Sequence, residues 1–169
     1  MILAFDTYYL PNCAKTACIA FENWQDSSPS HVFTEVKPHS ESYQPGEFYK
    51  RELPCILSLL ASIHLRPIHC LVVDGYVFLD NQQRLGLGGH LYQHLAQKVP
   101  VIGVAKTSFK TITTGMQLIQ RGKSSKPLYI TAIGVSLAEA SQNILSMHGD
   151  YRIPTLLKQL DNMTKSSIA

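Results

Sequence analysis

Two short apolar runs, MILAFD at the start of the chain and CLVVDG well down it, each end on an aspartate, Asp6 and Asp74. The second run lies within HCLVVDGYV, which is apolar without alternation and reads as a strand buried on both faces. A carboxylate beside a core is costly unless another charge or a metal compensates it. A third acid, Glu52, sits in YQPGEFYKRE, close to the start of a helical pattern. Converging carboxylates of this kind hold divalent cations; each one alone reads equally as a strand cap or as a partner for Lys or Arg.

The elements around these acids follow a definite order. MILAFDTYYL, CAKTACIAFENW and HVFTEVK are β-rich runs separated by Pro11-Asn12 and the turn-rich QDSSPS, the pattern of three consecutive antiparallel strands. From Pro54 onward Ile56, Leu57, Leu59, Leu60 and Ile63 recur at helical spacing, which puts Glu52 near a helix start. The apolar strand to Asp74, a helical LGLGGHLYQHLAQKV and VPVIGVAKT then form a strand, helix, strand unit. MQLIQRG and PLYITAIGV read as two more strands, Ser136 and Glu139 as a capping box, and a last helix follows Pro154. The expectation is one α/β domain of ribonuclease H-like fold over 1–164, with a central mixed sheet of three antiparallel strands followed by strand-helix-strand units, and a polar tail over 165–169. In that fold the first and fourth strands lie adjacent, which implies that Asp6, Asp74 and, from the intervening helix, Glu52 meet.

The chain has 169 residues, enough for one buried core, and a net charge of only +3 from 15 Lys and Arg against 12 Asp and Glu. That balance neither requires nor excludes a nucleic-acid partner. Lys98, Lys106, Lys110, Arg121, Lys123 and Lys126 form an acid-free basic stretch, either a phosphate-binding strip or a solvated face. Cys13, Cys18, Cys55 and Cys70 make no CxxC pair and read as reduced thiols, and the opening apolar run carries an acid at position 6, unlike a signal peptide or a membrane span. A cytoplasmic protein without membrane contact is expected, a monomer by default. His90 and His94 share one helix face, but no third ligand is spaced near them to complete a zinc site.

These motifs together resemble the endonuclease V family. Asp6-Thr7-Tyr8-Tyr9 is similar to the family's Asp-Val-x-Tyr/Phe strand end. Tyr43-Gln44-Pro45-Gly46 followed by Arg51-Glu52 resembles its Pro-Tyr-Ile-Pro-Gly and Arg-Glu motif, with the tyrosine-to-glutamate spacing kept. LVVDGYVFLDNQQRLGLGGHL and VPVIGVAKTSF resemble its Asp-Gly, Arg-x-x-Gly and Pro-Thr-Ile-Gly-Val-Ala-Lys stretch. The resemblance implies metal-binding carboxylates at Asp6, Glu52 and Asp74, with Mg²⁺ as cofactor and Mn²⁺ as the alternative ion. It implies a catalytic lysine at Lys106 and a wedge tyrosine at Tyr43 that fills the gap left by a flipped base. Gly46, Gly86, Leu87 and Gly88 fall beside the implied base pocket, with Arg84 keeping the family's arginine.

The departures bear on activity. The family's Ser-Pro-Gly-His-Arg-x-Ser motif is met here by Thr131-Ala132-Ile133-Gly134-Val135-Ser136, so its histidine is missing. Asp80 and His148 are candidates to compensate. The chain is shorter than typical members, without their N-terminal helical lead and part of the region around 110–126. Two functions stay open: a metal-dependent nuclease cutting DNA or RNA near deaminated bases, chiefly inosine, in DNA repair, or a catalytically weak relative that binds nucleic acid or a protein partner.

Overall fold

The computed structural model describes residues 1–38, 47–96 and 98–167. Three antiparallel strands come first, β1 (Ile2–Tyr9), β2 (Cys13–Phe21) and β3 (His31–Pro38), followed by helix α1 (Phe48–Ser62). Strand β4 (Cys70–Asp74), helix α2 (Leu87–His94) and β5 (Val101–Ala105) form the strand, helix, strand unit. Strands β6 (Gln117–Ile119) and β7 (Leu128–Ile133) and helices α3 (Leu137–Ser146) and α4 (Thr155–Lys165) complete the chain. The seven strands form one sheet in the order β3-β2-β1-β4-β5-β7-β6, with β1, β4 and β5 parallel and every other pairing antiparallel.

The period-2 alternation of each strand decides which helix it meets. Leu3, Phe5, Leu71 and Val73 face α1 and α2, packing on Leu53, Ile56, Leu87 and Leu91. Ala4, Val72, Ile102 and Ile130 face the other way, onto Ala140 and Ile144 of α3 and Leu156 and Leu160 of α4. Two layers of helix therefore enclose the sheet, and the central strands β1 and β4 are buried on both sides, as their unbroken apolar runs require.

Helix α1 starts earlier than the apolar spacing predicts, at Phe48, so Pro54 lies inside it. The capping box at α3 is present: the Ser136 hydroxyl accepts the Glu139 N–H at 3.1 Å. All four cysteines are free thiols. Among the described residues no helix is long and apolar enough to cross a membrane.

Candidate active site

Asp6 and Asp74 stand at the C-terminal ends of β1 and β4, parallel neighbours in which Phe5 lies opposite Val73. One residue further on, the two aspartates come side by side, on the face covered by α4. Asp6 is 8% exposed. Its Oδ1 accepts the Thr7 N–H at 2.9 Å, and its Oδ2 accepts the Thr164 hydroxyl of α4 at 3.2 Å. Burial, then repulsion from Asp74, pushes its carboxyl up to about 6, against the opposing pull of Lys106 and Thr164.

Glu52 comes from α1 on the opposite face of the sheet and reaches the same strand ends. It is 2% exposed, and burial, followed by Asp6 and Asp74, drives its carboxyl well above the ordinary range; Arg51 opposes that shift. The Arg51 guanidinium lies 3.8 Å over the Tyr9 ring. A cation on the face of an aromatic ring is attracted by its quadrupole, so the end of β1 and the start of α1 are fastened together beside the acids they carry.

Lys106 follows β5 and completes the row. Its Nζ is 3.8 Å from Asp74 Oδ2 and 3.9 Å from Oδ1 of a fourth acid, Asp161 of α4. Burial acts to raise Asp161, but the Lys165 hydrogen bond and the charges of Lys106, Lys165 and Lys158 outweigh it and hold the carboxyl below its usual range. Asp74 is raised, by burial first, with Lys106 pulling it down and Asp161 pushing it up. The Asp74 side chain keeps 43% of its surface exposed, so it forms the mouth of the site while Glu52 forms its floor.

The set is all carboxylate, the donor chemistry of hard divalent cations such as Mg²⁺. Among the described residues no three acid, histidine or cysteine side chains close to the spacing of a complete metal cage. That is compatible with the coupling of Asp6, Glu52 and Asp74, because Coulomb repulsion reaches well beyond coordination distance and keeps like charges apart. The buried Glu52 decides the fit: a carboxylate whose charge is opposed by burial and by Asp6 and Asp74, with Arg51 as the one favourable charge, is stabilised in its ionised form by a cation. Asp6, Glu52, Asp74 and Asp161 are the residues that could hold one.

Beside Asp74 and Lys106 opens a pocket of about 470 Å³ walled by Tyr49, Tyr76, Leu79, Gly86, Leu87 and Phe109. Gly86 is a wall by necessity, since a Cβ there would stand 2.5 Å from the Tyr76 carbonyl oxygen. Gly88 does not line the pocket: its missing side chain lets α2 lie against Val77, where a Cβ would come within 2.8 Å of Val77 Cγ2. Arg84 is also turned elsewhere, pairing with Asp80 at 3.5 Å. Tyr43 and Gly46 lie outside the described residues.

Several sequence candidates are engaged in local structure. Asp80 accepts the N–H groups of Gln82 and Arg84 in its own turn, each at 3.0 Å. His148 meets the Thr155 hydroxyl at 2.9 Å, and His90 stacks on Tyr49 with ring centroids 3.7 Å apart. The basic strip is broken at Lys98 and at Arg121. Lys98 donates to the Tyr92 and Gln93 carbonyls at the end of α2, and Arg121, only 4% exposed, donates to the carbonyls of Met147, Gly149, Tyr151 and Arg152.

The Thr131–Ser136 segment is at the wrong end of the sheet to supply a catalytic histidine. In the antiparallel pair β5·β7, Ile133 lies opposite Val101 and Tyr129 opposite Ala105. Gly134 accordingly packs on Pro100, at the start of β5, while Lys106 follows its end. Four residues of strand, roughly 13 Å at 3.3 Å per residue, separate the two ends. A histidine at 133–135 would not reach the carboxylates. Asp161 closes the site instead. Sequence reading missed it because it lies far from every motif; the one available signal was an acid flanked at helical spacing by Lys158 and Lys165.

Comparison with known proteins bears on the family and the fold. The family model for endonuclease V matches residues 1–124. The chain is 27% identical over 169 aligned positions to endonuclease V of Nostoc sp., covering 89% of this chain and 75% of that protein. The fold is similar to the crystal structure of Ciona intestinalis endonuclease V in complex with a 24mer DNA containing an inosine followed by a ribo-adenosine (TM-score 0.77, 18% identity, 97% of this chain and 84% of that one). It is also similar to the catalytic domain of human endonuclease V (TM-score 0.73, 21% identity, 97% and 80% covered). With the match spanning β1 to the β6–β7 turn and the acids gathered at the strand ends, this chain belongs to the endonuclease V family of nucleases, which hydrolyse phosphodiester bonds.

Proposed function

We propose that this chain is a divalent-metal-dependent endonuclease that cuts DNA or RNA near an inosine, with a role in repairing deaminated bases. The observation that carries the reading is the placing of Asp6 and Asp74 at adjacent strand ends, with Lys106 3.8 Å from Asp74 and the two lining one pocket. Asp6, Glu52 and Asp74 would hold Mg²⁺, or Mn²⁺ in its place. Such an ion supplies an activated water and stabilises charge on the reacting phosphate and leaving oxygen. Lys106 brings a cation to the same edge, where it offsets charge developing on a phosphate oxygen. Asp161 holds that ammonium in place and, with Asp74, sets its direction.

The pocket supports the choice of substrate. Its volume of about 470 Å³ falls within the range of roughly 300–1,000 Å³ typical of ligand clefts. Its walls are largely aromatic and apolar, so a base turned out of the stack finds stacking surfaces there. Tyr43 is proposed as the wedge that fills the vacated stack, with Gly46 beside it.

Cleavage of inosine-containing DNA and RNA, single- and double-stranded, with Mg²⁺, Mn²⁺ or a chelator, tests the proposal. Metal-dependent cutting of the inosine strands and none of matched controls is the expected result, and Asp74→Asn abolishes it while the melting transition stays cooperative. Equal cutting of control strands, or cutting that persists in the chelator, overturns it.

A further inference from the structure

The nuclease reading leaves unexplained a groove on the far side of α4. It runs between the outer face of that helix, with Lys158, Gln159 and Asn162, and the segment carrying Tyr151, with Lys123 of the β6–β7 turn at one end. Among the described residues Tyr151 is 80% exposed, whereas the other exposed large apolar side chains reach 53% at most. Its ring is offered to solvent from a fixed backbone: the Tyr151 carbonyl accepts the Arg121 guanidinium at 2.6 Å, as do the neighbouring carbonyls of Met147, Gly149 and Arg152. An ordered, outward-pointing aromatic beside lysines is the arrangement on which bases stack while phosphates are neutralised.

We propose that this groove binds a single-stranded stretch of nucleic acid continuous with the strand being cut, resting on the nuclease reading above. Continuity comes from Lys158, which lines the groove and lies 3.8 Å from Asp161, an acid of the candidate site. Charge points the same way: Lys123 and Lys158 face the groove against one acid, Asp150. Arg152 is not counted as a phosphate contact, because its guanidinium is bound to the Pro127 and Lys106 carbonyls. The Tyr151 ring stacks on a base, Lys123 contacts a phosphate, and the strand passes over α4 toward the carboxylates.

Fluorescence anisotropy with the full chain and a labelled oligothymidylate of about twenty nucleotides, without inosine and with a chelator to prevent cutting, reads strand binding apart from cleavage. Tyr151→Ala weakens binding about tenfold and Tyr151→Phe retains it, as a lost and a kept base stack require. Lys123→Ala lowers the slope of log affinity against log salt by about 0.7, the contribution of one single-strand phosphate contact. Unchanged affinity in Tyr151→Ala overturns the proposal, as does an equal loss in Tyr151→Phe, or a salt slope unmoved by Lys123→Ala. Cleavage of an inosine strand by the unaltered chain is measured separately. Absent cleavage with these binding losses intact defeats the nuclease reading and leaves the groove, while normal cleavage with no binding losses defeats the groove alone.

Discussion

Asp6 shows how a single residue ties stability to function. Its carboxyl is raised from 3.8 to about 6 by burial and by Asp74. Below about pH 4 folded and unfolded chains both hold the proton; between about 4 and 6 the unfolded chain releases it first, so stability falls as pH rises through that window and levels off above it. Without divalent ions Asp6→Asn removes this fall. Urea denaturation should find the variant more stable than the parent at pH 7, by about 3 kcal/mol, with the difference gone at pH 4. Added Mg²⁺ should stabilise the parent and not the variant. Parallel stability profiles for the two proteins would contradict the account.

Asp161 is held below the usual carboxylate range by its lysines and stays ionised across the working pH range. Replacing it with Asn keeps the shape but frees Lys106 from one of its two acids. Cleavage should fall by roughly 10–100-fold, the scale on which a misplaced catalytic group lowers a rate, with the melting temperature within a few degrees of the parent. An unchanged rate would remove Asp161 from the site.

At the scale of elements, the 147–152 turn between α3 and α4 depends on Arg121. Four carbonyls of that turn point at one buried guanidinium, and Gly122 next to it has φ +61° and space for no side chain, since a Cβ would stand 2.1 Å from the Asp150 carbonyl oxygen. Arg121→Met leaves those carbonyls without their donor, at a cost of roughly 3 kcal/mol, so thermal unfolding should begin about 6–12 °C lower. The sequence shows Arg121 only as one more positive charge in a basic stretch. Its burial depends on a turn nearly thirty residues later, a relation no local pattern records. By contrast the strands, the α3 cap and the start of β4 are written locally, in alternation, in Ser136 with Glu139 and in an unbroken apolar run, and these were legible. Helix α1 was legible except at its start, because the apolar spacing sets in only after Pro54 while the backbone is already helical from Phe48.

At the scale of the whole molecule, the sheet order explains how acids far apart in the chain come to share a site. Placing β4 directly beside β1 aligns Asp6 with Asp74, α1 carries Glu52 in from one face, and α4 brings Asp161 from the other. The first three acids were readable from motifs at strand and helix ends. The fourth was not, and the register of β5 against β7 puts the segment that matches the family's histidine motif at the opposite end of the sheet. The central claim is that these acids converge to hold a divalent ion. Crystals grown with Mn²⁺ and measured at its absorption edge test that directly. The account predicts an anomalous peak bound by oxygens of Asp6, Glu52 and Asp74, absent in Asp74→Asn, whereas a peak bound elsewhere, or none at these acids in the parent protein, would contradict it.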